Sequence, residues 1–330
     1  MTPEIWLIIL LVLSLTFDFL NGFNDSANVV ATIISSRAMS ARAALTLAAV
    51  ANLIGPFIFG VAVAKTIGHN VADTSSINIY VVIAALMSAS MWNVTTWYFG
   101  IPSSSSHALI GGIIGAVIMD SGFGAIKLKG IYVILIALFT SPVIGFTMGW
   151  LIMTITKRLL KNASPKADTA LKVGQLPTAI ALALSHGTND AQKTMGIITM
   201  GLVVLGFQKE FVVPTWVILC SACAIGLGTA LGGWRIIQTL GGKFYKIRPI
   251  HSFTSQFASA LVIITASFLG GPVSTNQVVS MSIIGAGASD KVSKVRWFVL
   301  KEIFTTWILT IPVTATLSAI IYFIIDLIFR

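Results

Sequence analysis

Charge is scarce in this chain. Only 10% of its 330 residues are Asp, Glu, Lys or Arg, against about 25% in a soluble domain. That composition excludes an ordinary solvated surface. Cysteine is nearly absent, with Cys220 and Cys223 alone. Their Cys-x-x-Cys spacing occurs in metal and redox sites. Here it lies in an unbroken apolar run with no His or acid beside it, so two small buried apolar side chains is the better reading. A basic cluster is missing before the first apolar run, where Glu4 stands instead, so a cleaved signal peptide is not expected. The net charge of +10 does not point to nucleic acid, because the basic residues sit mainly in short loops, where they set orientation.

What the chain has is apolar length. Hydrophobic residues make up 56% of it. Long runs recur at 43–64, 79–99, 130–156, 213–234 and 303–327. Each is long enough to cross a hydrocarbon core of about 30 Å. The fold class is therefore an all-α polytopic membrane protein.

Within these runs one unit is written twice. Asn21-Gly22-Phe23-Asn24-Asp25 returns as His186-Gly187-Thr188-Asn189-Asp190. An Asp in a membrane-length segment costs about 2.5–3.5 kcal/mol on insertion scales, so carrying it twice in one frame points to a site built from two halves. Pro102-Ser103-Ser104-Ser105-Ser106-His107 likewise returns as Pro272-Val273-Ser274-Thr275-Asn276-Gln277. The expected organisation is a first repeat over 1–156, a polar linker over 157–172, and a second repeat over 173–330. The Asn-Asp elements fall at 21–25 and 186–190, and the Pro-Ser hairpins at 101–121 and 271–289. An odd number of crossings per half gives inverted-topology repeats with broken or re-entrant segments, an architecture of secondary transporters. It also puts the loops 37–42, 157–172, 235–248 and 290–301 on one side. These hold 15 of the 21 Lys and Arg, which makes that side cytoplasmic in a plasma (inner) membrane. Residues 4–36 are too long for one straight span and are expected to be tilted, broken or re-entrant.

The Pro-Ser elements suit an oxyanion. Pro favours the first helical position, and the residues after it present unpaired backbone N–H groups and the positive end of the helix dipole. Ser103, Ser104, Ser105 and Ser106, with Ser274, Thr275 and Asn276 from the other half, are the candidate ligands for phosphate or a similar oxyanion. The blander reading, ordinary caps of surface helices, is weakened by the duplication. The Asn-Asp elements suit a hard cation. Asn21, Asn24, Asp25, Thr188, Asn189 and Asp190 are the candidate coupling residues. Na+, not a transition metal, is placed at Asn24, Asp25, Asn189 and Asp190, helped by carbonyls of backbone unwound beside Gly22 and Gly187. Acids that merely cap a half-helix would not explain Asp at membrane depth. His107, His186, Gln277 and Lys193 are candidates for gating or proton relay. For the histidines a hydrogen-bonded structural role stands beside that reading, and for Lys193 a snorkelling one.

At these residues the chain resembles the inorganic phosphate transporter (PiT) family. The family's duplicated Gly-x-Asn-Asp signature is matched by Gly22 to Asp25 and by Gly187 to Asp190. Its Pro-x-Ser-x-x-His element is matched by Pro102 to His107. The second copy departs by having Gln277 where His often stands. The flanks Ile34 to Ala38 and Ala191 to Gly196 are similar to the compact bacterial and archaeal members. The resemblance implies carriage of inorganic phosphate with Na+ or H+, the cation at the Asn-Asp residues, phosphate at the serine-rich tips, no other cofactor, and a homodimer as a plausible assembly. The function expected is a cation-coupled phosphate symporter working by alternating access. The acids, amides and hydroxyls suit a bare metal ion and so favour Na+, with H+ open. A passive anion channel, or a permease for another tetrahedral oxyanion, is the alternative. An intramembrane hydrolase using Ser105 or Ser106 with His107 is set aside, because adjacent residues rarely supply the geometry of nucleophilic catalysis and the second copy lacks the His. The chain is expected not to be an enzyme.

Overall fold

The computed structural model describes residues 2–70, 77–101, 103–164, 166–232 and 245–329. Pro102, the linker residue Pro165 and the loop positions 235–244 lie outside the described residues. Among those described there is no strand. The helices are α1 Pro3–Ser35, α2 Ala41–Ile58, α3 Ala62–Asn70, α4 Ile79–Phe99, α5 Ser105–Ser121, α6 Leu128–Leu159, α7 Lys166–Val204, α8 Thr215–Leu231, α9 Pro249–Phe268, α10 Thr275–Lys291 and α11 Trp297–Phe329. Single 3-10 turns, Phe123–Ala125 and Val292–Lys294, lead into α6 and α11. Among the described residues, five segments are long and apolar enough to cross a membrane: α1, α2, α4, α6 and the Ile303–Phe329 part of α11.

The expected break at the Asn-Asp elements is not there. α1 runs unbroken for 33 residues and α7 for 39, about 50 and 58 Å at 1.5 Å per residue. Gly22 and Gly187 serve close packing instead of unwinding. A Cβ at Gly22 would collide with the Ile225 carbonyl of α8, and one at Gly187 with the Asn52 carbonyl of α2. No backbone carbonyls are released there for a cation. The interruptions fall elsewhere. α2 and α3 are separated by a short break where Gly60 takes φ +76°. α5 and α10 begin inside the protein after non-helical residues at 100–101 and 103–104 and at 269–274, with Ser103, Ser104, Val273 and Ser274 buried. Irregular backbone at that depth is tolerated only when protein covers it. α5 and α10 each have 17 residues, about 26 Å. At the junction, α6 continues to Leu159 and α7 begins at Lys166, so both ends of the 157–172 linker are helical.

The duplication reappears in the packing, with partners exchanged between halves. α1 meets α8 at Gly22, and α7 meets α2 at Gly187. A Cβ at Gly115 of α5 would strike the Ala315 carbonyl of α11, and one at Gly285 of α10 the Phe146 carbonyl of α6. Each hairpin helix is thus clamped by the last helix of the other half, through small residues that let backbones approach. Gly115→Ala and Gly285→Ala are each expected to cost about 1–3 kcal/mol by overpacking. Thermal melting of the purified protein in detergent reads this, and unchanged melting would mean that these helices do not touch.

Burial sorts the helices. α6 and α11 expose Val143, Ile144, Trp150, Ile320, Phe323 and Leu327, the outer faces expected against lipid. α1 and α7 bury polar residues through their middles, among them Asp18, Asn21, Asp25, His186, Asn189 and Asp190. Apolar packing flanks this polar centre. Leu86, Leu109, Ile113 and Ile134 lie in one cluster, and Ile263, Ile283, Ile284 and Trp307 in another. Cys220 and Cys223 are free thiols, half-buried rather than fully inside. They line a groove with Leu15, Thr16 and Phe19.

Three of the basic loops, and the end of α6, come together. Lys157 lies 3.5 Å from Asp290 Oδ1, and Arg248 Nη2 donates to Asp290 Oδ2 at 2.9 Å. Arg37, Lys246, Arg248 and Arg296 line one cleft of about 580 Å3. Tyr245 beside it is buried, which pushes its phenol up and keeps it a donor to the Ile283 carbonyl at 2.7 Å.

Candidate functional site: two acids between two helix starts

The middles of α1 and α7 bring the acids of both Asn-Asp elements to one place. His186 Nε2 lies 3.0 Å from Asp190 Oδ2 and 3.6 Å from Asp25 Oδ2. One ligand atom from each of Asp25, His186 and Asp190 falls within 4.8 Å of the others, and all three residues are buried. His186 and Asp190 are four apart, so one helical face presents both. The other ring nitrogen, Nδ1, sits 3.2 Å from Asn52 Oδ1, and Asn52 Nδ2 donates to Thr229 Oγ1 at 2.7 Å. A chain of polar contacts from α8 through α2 therefore fixes the imidazole.

The starts of α5 and α10 reach the same place. Thr275 Oγ1 donates to Asp190 Oδ2 at 2.7 Å. Asn276 Nδ2 donates to Asp25 Oδ1 at 2.7 Å and to the Ser103 carbonyl at 2.5 Å. Ser106 Oγ donates to the Val273 carbonyl at 3.1 Å. Gln277 Nε2 lies 3.5 Å from His107 Nδ1, which also sits 2.7 Å from Ser104 Oγ. The two helix N-termini, one from each half, therefore touch one another, and the start of α10 also touches the acid pair. Hydrogen bonds to a charged acceptor contribute about 1.5–3 kcal/mol each, so the Thr275 and Asn276 contacts tie α10 firmly to α7 and α1.

The two starts are capped differently. Ser104 Oγ accepts from the His107 N–H at 3.2 Å and caps α5. Ser274 makes no side-chain cap bond to α10. The first N–H groups of α10 thus lack the acceptor that α5 has, at a buried position where an unpaired donor is costly. A bound oxyanion would satisfy them.

Each residue singled out in the sequence has a place. Asn24 Nδ2 donates to the Asn93 carbonyl at 3.1 Å, and Asn189 Nδ2 to Ser267 Oγ at 2.9 Å and the Gly271 carbonyl at 3.3 Å. Both Asn side chains leave a buried Oδ1 without a donor, as do Oδ1 of Asn21 and Oδ2 of Asp25, and the Asn21 Nδ2 has no acceptor. Uncommitted oxygens on Asn21, Asn24, Asp25 and Asn189 are what a hard cation takes. Lys193, one turn after Asp190, is fully buried and ion-paired to Asp190 Oδ1, so it does not snorkel. Thr188 does not join the site. Its hydroxyl donates to the Leu184 carbonyl of its own helix at 2.7 Å, and it lies against Gly55. Of the proposed oxyanion ligands, Ser103 is bonded to Thr96 Oγ1 at 2.8 Å, and Ser104, Ser106, Thr275 and Asn276 are engaged as described. Ser105 and Ser274 are buried without a side-chain partner among the described residues. The sequence reading missed Asn52, Thr229 and Ser267. A single Asn inside the apolar run 43–64 was the available signal for the first.

Comparison with known proteins places this architecture. The model of the "Phosphate transporter family" matches residues 21–318. The chain is 45% identical over 326 residues to a "probable low-affinity inorganic phosphate transporter" of Bacillus subtilis (strain 168), covering 98% of each chain. It is 43% identical over 321 residues to a protein of the same description in Rhizobium meliloti (strain 1021), covering 97% of this chain and 96% of that one. Its fold matches a solved structure described as "The sodium-dependent phosphate transporter" with a TM-score of 0.89 and 24% identity, over 98% of this chain and 99% of that one. The match covers both Asn-Asp elements and both helix starts, and the chain belongs to the phosphate transporter family, whose members are transporters and not enzymes.

Proposed function

We propose that the chain is a cation-coupled symporter of inorganic phosphate working by alternating access, with Na+ the favoured coupling ion and H+ the other. The observation that carries this reading is the meeting of Asp25 and Asp190 with the buried start of α10, whose Asn276 also holds the Ser103 carbonyl ahead of α5. Two carboxylates alone repel a phosphate. A cation held at Asp25 with the free oxygens of Asn21, Asn24 and Asn189 reverses that field and makes anion binding depend on cation binding, which is the physical content of coupling. Phosphate then sits on the uncapped start of α10, taking backbone N–H groups of 275–277 and the hydroxyls of Ser274 and Ser105. Phosphate still carrying a proton can donate to Asp25; sulfate, which carries none at neutral pH, cannot.

Two repeats, 1–156 and 173–330, are read as inverted about this site. The exchanged pairings α1 with α8 and α2 with α7 support that reading, since rocking of one exchanged bundle against the other would expose the site to alternate sides. The convergence of Arg37, Lys157, Lys246, Arg248 and Arg296 supports a common, cytoplasmic face for the basic loops, in the plasma (inner) membrane.

Uptake of labelled phosphate into liposomes, with Na+ and pH gradients imposed separately, tests the coupling. Concentrative uptake driven by an inward Na+ gradient, and absent without any gradient, is expected. Uptake that only equilibrates and ignores both gradients would make the protein a passive anion pathway.

A further inference from the structure

The two Asn-Asp copies match in spacing but not in charge. At the offset of 165 between them, Asn21 corresponds to His186, Asp25 to Asp190, and Asn28 to Lys193. The first copy has an amide at each position where the second has a side chain able to carry positive charge. The environments follow suit. Both oxygens of Asp190 are occupied: Oδ1 by the Lys193 ammonium, Oδ2 by the Thr275 hydroxyl and the His186 ring. Asp25 accepts from Asn276 on Oδ1, and its Oδ2 has no hydrogen-bond donor, the His186 ring standing 3.6 Å away. Asn28, in the place of Lys193, is buried with neither side-chain polar atom bonded.

Lys193 is 1% exposed. A charged ammonium at that depth is stable only beside its carboxylate. It lies where a hard cation bound to Asp190 would lie, yet a covalent chain holds it there, so it cannot leave with the substrate. We propose that Lys193 is a tethered cation replacing one mobile coupling ion at Asp190, so that ions are taken up and released only on the Asp25 side. The inference rests on the symport reading above and adds a stoichiometry to it. A carrier with two ion-binding acids moves one more cation per phosphate than a carrier in which one acid is permanently neutralised.

Lys193→Asn gives the second copy the residue of the first. In liposomes, the voltage at which phosphate flux reverses gives the charge moved per phosphate. Lys193→Asn is expected to move one more cation per phosphate than the parent chain, and its uptake to depend more steeply on cation concentration. Lys193→Arg, which keeps the charge, is expected to keep the parent ratio. If Lys193→Asn does not transport, its melting temperature in a series of Na+ concentrations and pH is read instead. A cation-dependent rise larger than that of the parent chain and of Lys193→Arg is expected by mass action. An unchanged charge ratio in a transporting Lys193→Asn, or no added cation stabilisation in a silent one, overturns the inference. Loss of coupling in the parent chain itself would instead sink the symport reading.

Discussion

Asp25→Asn is expected to lower gradient-driven phosphate uptake by about 100-fold or more, equivalent to about 2.7 kcal/mol, while leaving the fold intact. The Asn keeps an acceptor for Asn276, whose bond to Asp25 Oδ1 is 2.7 Å. What it loses is the negative charge on the one carboxylate oxygen of the pair that has no hydrogen-bond donor. Without that charge the coupling cation has no counter-ion on the α1 side, and the field that admits phosphate is not assembled. Uptake into liposomes and thermal melting, measured on the same preparation, check both halves. Normal coupled uptake in Asp25→Asn would remove Asp25 from the coupling site.

Asp190→Leu is expected to act on stability as well as transport. It strands the Lys193 ammonium in the interior and takes the acceptor from Thr275 and the partner from His186. Breaking one side of a buried ion pair costs about 3–5 kcal/mol, whereas replacing both sides with apolar groups is often nearly neutral. A large fall in melting temperature is therefore expected for Asp190→Leu, with most of it recovered in Asp190→Leu combined with Lys193→Met. Transport is expected to be absent from both. Equal melting of the single and double variants would show that Lys193 and Asp190 do not depend on each other.

Sequence spacing carried much of this arrangement, and the reasons are local. Apolar run length marked α2, α4 and α6, because a span must satisfy its backbone internally and so must be helical. An Asp at membrane depth is expensive, so its recurrence at 25 and 190 was a strong sign that the two meet, and they do so across His186. The continuity of α1 and α7 was not legible. Gly22 and Gly187 fit an unwound segment and a tight helix crossing equally well from sequence, and the crossing is decided by the Ile225 and Asn52 carbonyls packed against them. Nor could spacing say which hydroxyls stay free. Thr188 stands in the motif yet turns its hydroxyl back to Leu184, and Thr275 and Asn276 are spent on the acids. The last two outcomes depend on α10 lying between α1 and α7, a tertiary fact with no local signature. Asn52 and Thr229, which fix His186, were hidden because a lone polar residue in a span has many possible partners.

The most direct measurement is a structure of the protein determined with phosphate and the coupling cation bound. A tetrahedral density is predicted within about 3 Å of the backbone N–H groups at the start of α10, beside Ser274 and Ser105, with the cation between it and Asp25. Phosphate found only in the cleft of Arg37, Lys246, Arg248 and Arg296, with the start of α10 holding nothing, would contradict the account.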